Sequence, residues 1–331
     1  MTKQTVLLLG ATGETGRSIL DGLLADPNSF HVEALVRPSS AEKPEVKRLG
    51  ERGVKIRVAD IDGALDDLVA ALAGVDVLIS AIDATRQLAQ LQLATAAKQA
   101  GVQRFVPCAF ITIAPPGGVM ALRDSKEQVY QHIRKLYLPY TIIDVGYWHQ
   151  ISIPALPSGR GDYAAPVKPT ADIHAGGTAP TMLGDLRDIG RYVALIIKDA
   201  RTLNKYVAAY SDVLSENEIF ALVEEMSGET IARNYVSADD IVAARARFAA
   251  LVDSEPQNMY ARTMGFITEY NYSKYVRGDN TPAYAAYLGY LDVQELYPDV
   301  RPRSFRAFVA ELLDGKAEKP YKVLPRLLQF V

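Results

Sequence analysis

Apolar residues recur along this chain in two rhythms, and their alternation predicts the architecture of its first half. Residues 6–9, 31–36, 54–58, 75–80, 104–107 and 140–145 are short runs of aliphatic and β-branched residues that read as six strands. Between them, 18–24, 65–72, 89–100 and 122–137 place apolar residues at helical spacing. Strands that alternate with helices form a parallel sheet covered on both faces, so the expected fold class is α/β with a doubly wound sheet. After Gly146 the pattern changes. Residues 147–184 are rich in Pro, Gly, Ala, Tyr and His and have little helical period, which predicts loops and short strands of a lid or pocket wall. A helix at 186–199 and a returning strand at 205–209 follow. A helix then begins at Ser215, where Glu218 completes a capping box, and further helices are expected at 238–251, 256–269, 281–289 and 304–313. The expected division is a dinucleotide-binding unit at 1–150, joined by 184–212, and a smaller, mostly helical substrate unit at 151–331.

The turn between the first strand and first helix carries the clearest chemistry. Gly10, Gly13 and Gly16 stand three apart in Gly10-Ala11-Thr12-Gly13-Glu14-Thr15-Gly16, after a strand and before a helix. Such a turn lets backbone amides approach a pyrophosphate and points the positive end of a helix at it, the signature of a Rossmann dinucleotide site. Thr12, Glu14 and Thr15 lie within the same cradle. The second strand ends at Arg37, where an acidic residue would grip the ribose of NAD. A guanidinium there suits a 2′-phosphate, so NADPH is the expected cofactor. Ser80 and Ala81 end the fourth strand with small side chains over which a dinucleotide can lie.

Composition narrows the function. The 331 residues include 49% hydrophobic residues, carry a formal net charge of -3 and contain one cysteine. That describes a chain with a sizeable core and no basic stripe for nucleic acid. The lone Cys108 excludes an intrachain disulfide and a thiolate metal cage. No apolar run reaches the length of a membrane span and no leader pattern opens the chain, so cytoplasmic residence is expected, as monomer or homodimer. The four histidines lack ligand spacing, so no metal is expected.

Within 122–137, Leu122, Val129, Ile133 and Leu136 share one face, and Lys126 fills the remaining place in that stripe. An inward lysine near a helix start has its ammonium disfavoured by burial and by the macrodipole, so it can exchange a proton near neutral pH. A lysine whose stem lies along the core edge would give the same pattern. Gly146-Tyr147-Trp148-His149 follows the sixth strand at the edge where ligands bind such sheets, and with Tyr163 it offers an aromatic pocket wall in which His149 could carry a proton. A core tryptophan and a satisfied histidine are the alternative.

Four stretches carry a family resemblance: GATGETGRSI from Gly10, VDVLISAI from Val75, AAKQAGVQRFVPCAF from Ala96, and LRDSKEQVYQHIRKLYLPYTIIDVGYWHQ from Leu122. The sequence resembles the NmrA-like branch of the atypical short-chain reductases, particularly fungal relatives of isoflavone reductase and phenylcoumaran benzylic ether reductase. The resemblance implies NADPH-dependent reduction of small aromatic or phenolic compounds, with Lys126 as catalytic group and Arg37 on the 2′-phosphate. It also places Phe110 against the cofactor, with Ala109 beside it; Gly146, at the ligand-binding edge after the sixth strand, is expected to border the cofactor as well. Where plant members read Pro-Ser-Glu-Phe-Gly, this chain has Pro107-Cys108-Ala109-Phe110-Ile111, and the acidic residue is absent. The typical Tyr-x-x-x-Lys pair is missing too, since Leu122 stands four before Lys126. The rival that the resemblance carries is a regulator that binds NAD(P) without turning anything over; a third is an isomerase that keeps the cofactor as scaffold.

Overall fold

The computed structural model describes residues 3–321; residues 322–331, the end of the expected 151–331 unit, lie outside the described residues. The first strands are β1 (Gln4–Leu9), β2 (Phe30–Val36), β3 (Lys55–Val58), β4 (Val77–Ser80) and β5 (Arg104–Val106), all parallel in the order β3-β2-β1-β4-β5. Val6 pairs with Val32 on one side and Val77 on the other, and Val6, Leu7 and Leu8 are fully buried. Both faces of the strand are covered, which is why its sequence is an unbroken apolar run.

The helices of this half are α1 (Glu14–Leu24), α2 (Pro44–Glu51), α3 (Leu65–Ala71), α4 (Gln90–Gln99) and α5 (Ala121–Lys135). Helix α2 is absent from the sequence-based expectation; it has eight residues and buries only Val46 and Leu49. Strand β6 (Thr141–Asp144) joins β5 through a bridge between Phe105 and Tyr140, reinforced by Phe110 N–H to Ile143 O at 2.8 Å.

Two short strands flank the next segment, β7 (Tyr147–Trp148) and β8 (Asp172–His174), before β9 (Thr181–Gly184) and α6 (Asp188–Ile196). The chain then returns as β10 (Lys205–Ala208), parallel to β6. It continues through β11 (Asp212–Leu214), α7 (Glu216–Ser227), β12 (Asn234–Val236), α8 (Ala238–Ser254), α9 (Met259–Asn271), a π-helical turn (Tyr272–Arg277) and α10 (Pro282–Tyr287). Strand β13 (Tyr290–Asp292), which the sequence pattern does not predict, pairs in parallel with β10, and α11 (Val293–Leu296) and α12 (Phe305–Leu313) end the described chain. One long parallel sheet therefore runs β3-β2-β1-β4-β5-β6-β10-β13. A smaller sheet runs β7-β9-β11, and the expected capping box of Ser215 and Glu218 is present.

On one face of the long sheet, α1 and α6 cross at contact distance. A Cβ on Gly190 would lie 1.7 Å from Ser18 O, and one on Gly22 would lie 2.1 Å from Gly190 O. Helices α3, α4 and α5 cover the other face with Leu68, Leu93, Val129 and Ile133. Among the described residues no helix is long and apolar enough to cross a membrane.

Candidate active site

The glycine turn shows different reasons for its three glycines. Gly10 has φ +89° and stands against β4, where a Cβ would be 2.3 Å from Ala81 O; a Cβ on Gly16 would be 1.9 Å from Gly10 O. Both are therefore required by the protein's own packing. Gly13 has an ordinary φ of -79°, is exposed, and meets only Gly10 O, at 3.4 Å. Nothing within the described chain demands glycine there, so the open side of Gly13 is space a close-lying ligand can use. Among the described residues no side chain caps α1, which leaves the positive helix end to an anion. Thr12 is exposed and Thr15 half-buried beside it, while Glu14 pairs with Arg17.

Arg37 ends β2 exposed, with Nε donating to Ser40 Oγ at 3.0 Å and no carboxylate paired to it among the described residues. Its fork of donors is free for a phosphate. Lys47 pairs with Glu42 instead. Ser80 is fully buried with its hydroxyl unpartnered beneath the strand ends, next to Ala81, whose amide closes on Leu9 O.

Lys126 lies on the buried face of α5 with 2% of its surface exposed. Its Nζ donates to Cys108 O at 2.5 Å and to Gln87 Oε1 at 3.1 Å, and lies 3.8 Å from Cys108 Sγ. Burial lowers its pKa, helped by Arg123, while Cys108 and Asp144 pull the other way. The thiol of Cys108 in turn donates to Ile82 O at 3.3 Å. Gly10 against Ala81, Ile82 to Cys108, and Cys108 to Lys126 thus form a continuous path from the glycine turn to the amine. Gln87 is itself 2% exposed on the 3₁₀ turn after β4, and its Oε1 also accepts from Gln90 Nε2 at 3.1 Å; Gln90 Oε1 accepts the Cys108 amide at 2.8 Å. One turn before Lys126, the buried Arg123 donates to Asp144 at 2.9 Å and to Tyr290 at 3.2 Å, which binds α5 to β6 and β13.

With that geometry in place, comparison with known proteins decides the family: residues 2–294 match the NmrA-like family. The chain belongs to it. Among NmrA-like relatives, asnovolin J 5′,6′-dehydrogenase nvfM of Aspergillus novofumigatus is 42% identical over 94% of this chain and 95% of its own. Phenylcoumaran benzylic ether reductase IRL1 of Ginkgo biloba is 29% identical over 91% and 96%. Of solved structures, leucoanthocyanidin reductase from Vitis vinifera, a binary complex with NADPH, superposes with TM-score 0.77 at 22% identity, covering 94% of this chain and 99% of that one. This likeness shows the shared fold, and the four stretches that suggested the family lie within the match.

The remaining expected residues of this NmrA-like chain are distributed unevenly. Ala109 and Phe110 are buried at the end of β5, Phe110 in the left-handed region at φ +49°. Gly146 has φ +67°, and a Cβ there would lie 2.7 Å from Met182 O, so the corner after β6 is pressed against β9. Tyr147 and Trp148 are half-buried. Tyr147 faces Tyr270 at 6.2 Å, and Trp148 faces Tyr321 at 6.0 Å.

The pocket expectation for His149 needs correction, and the alternative of a satisfied core histidine holds. His149 is fully buried: Nε2 lies 3.0 Å from Ser211 Oγ and 3.4 Å from Asp212, Nδ1 lies 3.8 Å from Asp185, and its ring packs on Phe305 and Phe308. Burial opposes its charge, but the two carboxylates raise its pKa, so it is a core histidine held by partners rather than a wall residue. Tyr163 is 44% exposed; its hydroxyl donates to Leu312 O and accepts from Ala317 N–H, both at 3.0 Å. It fastens the segment after α12.

That segment delivers Tyr321, which the sequence reading missed. Its ring packs on Trp148, and burial raises the pKa of its phenol. Gln87 and Gln90 were missed as well. A pair of glutamines three apart, just after a strand end that faces the cleft, is the signal that could have found them.

Proposed function

We propose that this chain is an NADP(H)-dependent oxidoreductase acting on a small aromatic or phenolic molecule of benzylic ether, quinone or enone type, with Lys126 as its proton relay. The carrying observation is the buried amine of Lys126 held between Cys108 O and Gln87 at the sheet edge that the glycine turn also reaches. The glycine turn would take the pyrophosphate and Arg37 the 2′-phosphate, a cradle whose open side at Gly13 fits a closely apposed backbone ligand. When bound, the nicotinamide supplies or accepts the hydride. Lys126 gives a proton to the oxygen that gains negative charge, and takes one when the reaction runs in reverse. The named relatives include both a dehydrogenase and reductases, so both directions belong to the reading.

A regulator that merely senses dinucleotide needs neither a buried amine nor a polar network to orient it, which favours turnover. Lys126→Ala is expected to abolish reduction of quinone and phenolic ether substrates while leaving NADPH affinity nearly intact. Deuterium from labelled NADPH is expected in the product. Unchanged turnover in the variant removes Lys126 from the mechanism, and an unlabelled product points to the isomerase.

A further inference from the structure

We propose that Lys274 is a second recognition cation of this pocket, binding an anionic oxygen, carboxylate or phenolate, on the aromatic ligand; this rests on the reading of the cleft as a substrate site.

Lys274 belongs to the π-helical turn that continues α9, and 1% of its surface is exposed. π-Turns insert a residue into a helix and re-aim its side chains, often at functional sites. The Nζ lies 3.2 Å from the centre of the Tyr147 ring and 4.5 Å from that of Tyr275, and its one hydrogen bond among the described residues goes to Tyr275 Oη at 3.1 Å. An ammonium has three donors, and a buried cation ordinarily has a counter-ion. Here it has none within ion-pair distance among the described residues. Glu216, the carboxylate that acts on it from α7, is engaged by the His174 amide at 2.6 Å and ring Nδ1 at 2.9 Å. His174 from β8 stacks on Tyr275 at 5.0 Å and closes that side. The rings attract a cation through their faces but leave its hydrogens unspent. Burial pushes the amine down to about 7, so at neutral pH an anion arriving beside it would complete its charge.

An aromatic cluster spreads from this amine. Tyr147, in the short strand after β6, faces Tyr270 at 6.2 Å, and Phe266 packs on Tyr270 at 4.8 Å. Of the two buried amines, Lys126 is hydrogen-bonded to two amide oxygens, whereas Lys274 has donors to spare.

The test is calorimetric titration of the full chain saturated with NADP⁺. One arm compares 4-methoxycinnamate with its neutral amide, the other 2,4-dinitrophenol with 2,4-dinitroanisole, all at pH 6.5, where both acids are ionised and the amine, which titrates at about 7, is largely protonated. In at least one arm the anion is expected to bind about tenfold tighter, the scale of a charge-assisted over a neutral hydrogen bond. Lys274→Met is expected to erase that preference and Lys274→Arg to keep most of it. Equal affinity of both pairs in the wild type, binding of neither pair, or a preference that survives Lys274→Met overturns the proposal. The wild-type comparison needs no variant to fold. Because no hydride is transferred, the result is independent of the fate of Lys126→Ala.

Discussion

The amine of Lys126 on α5 is held by the carbonyl oxygen of Cys108, 2.5 Å away at the end of β5. A carbonyl accepts a hydrogen bond from the amine in either charge state, so this contact fixes the position of the nitrogen without deciding its protonation. Burial supplies the second half of the device by lowering the amine's pKa.

Gln87 is the group whose removal separates position from protonation. Its Oε1 favours the ammonium, and Gln90 holds it in place. Gln87→Leu is expected to lower kcat about 10- to 100-fold, the scale of a lost hydrogen bond to a charged group, with little change in KM. The alkaline limb of the kcat–pH profile should move to lower pH, since the ammonium loses an acceptor. A profile that keeps its limb would assign Gln87 a structural role only.

Among the described residues Arg37 has one side-chain partner, Ser40, and no carboxylate to restrain it. Arg37→Ala is expected to weaken NADPH about 10- to 100-fold, as for a lost charge-assisted pair, and to leave NADH almost unaffected. Equilibrium titration with both coenzymes measures the ratio directly.

The crossing of α1 and α6 allows a paired stability experiment. Gly190→Ala would drive a Cβ to within 1.7 Å of the Ser18 carbonyl, a backbone atom that cannot step aside. The cost is expected to be at least about 1–3 kcal/mol, read as a lower urea midpoint. Gly265 lies inside α9 with its nearest contacts at 3.9 and 4.0 Å, both side-chain carbons. Gly265→Ala should therefore raise stability by about 0.5–1 kcal/mol, the ordinary helix preference.

Lys274 makes stability depend on pH with a definite sign. Its amine titrates at about 7 in the folded chain against 10.5 ordinarily, so between those values the unfolded chain binds more protons. Stability is expected to rise as pH increases from about 7 towards about 10, and Lys274→Met should flatten that rise. Lys126 is shifted in the same direction, so the slope is reduced but not abolished. Chemical denaturation at pH 7, 8 and 9 for both proteins measures it.

What could be read in the chain alone was local. The glycine turn, Arg37 at a strand end and Lys126 within an apolar stripe each show themselves within a few residues, and each stands where those patterns require. Tertiary partners were not legible. Strand β13 has three residues and exists because β10 offers it an edge. His149 beside Trp148 leaves wall and core readings open in the sequence, and only the return of Asp212 and Phe305 from far along the chain makes it core. Lys274 has no apolar stripe to betray it, since a π-turn abandons the helical period on which such readings depend.

The long sheet also sets the order in which a nascent chain can be completed. Strand β6 leaves the ribosome with one edge bare until residues 205–208 arrive, and β10 then waits for 290–292. At about 5–20 residues per second this leaves an unpaired edge uncovered for several seconds at each stage. Cellular yield should accordingly respond to chaperone supply and to pauses in translation more than to the resilience of the finished molecule.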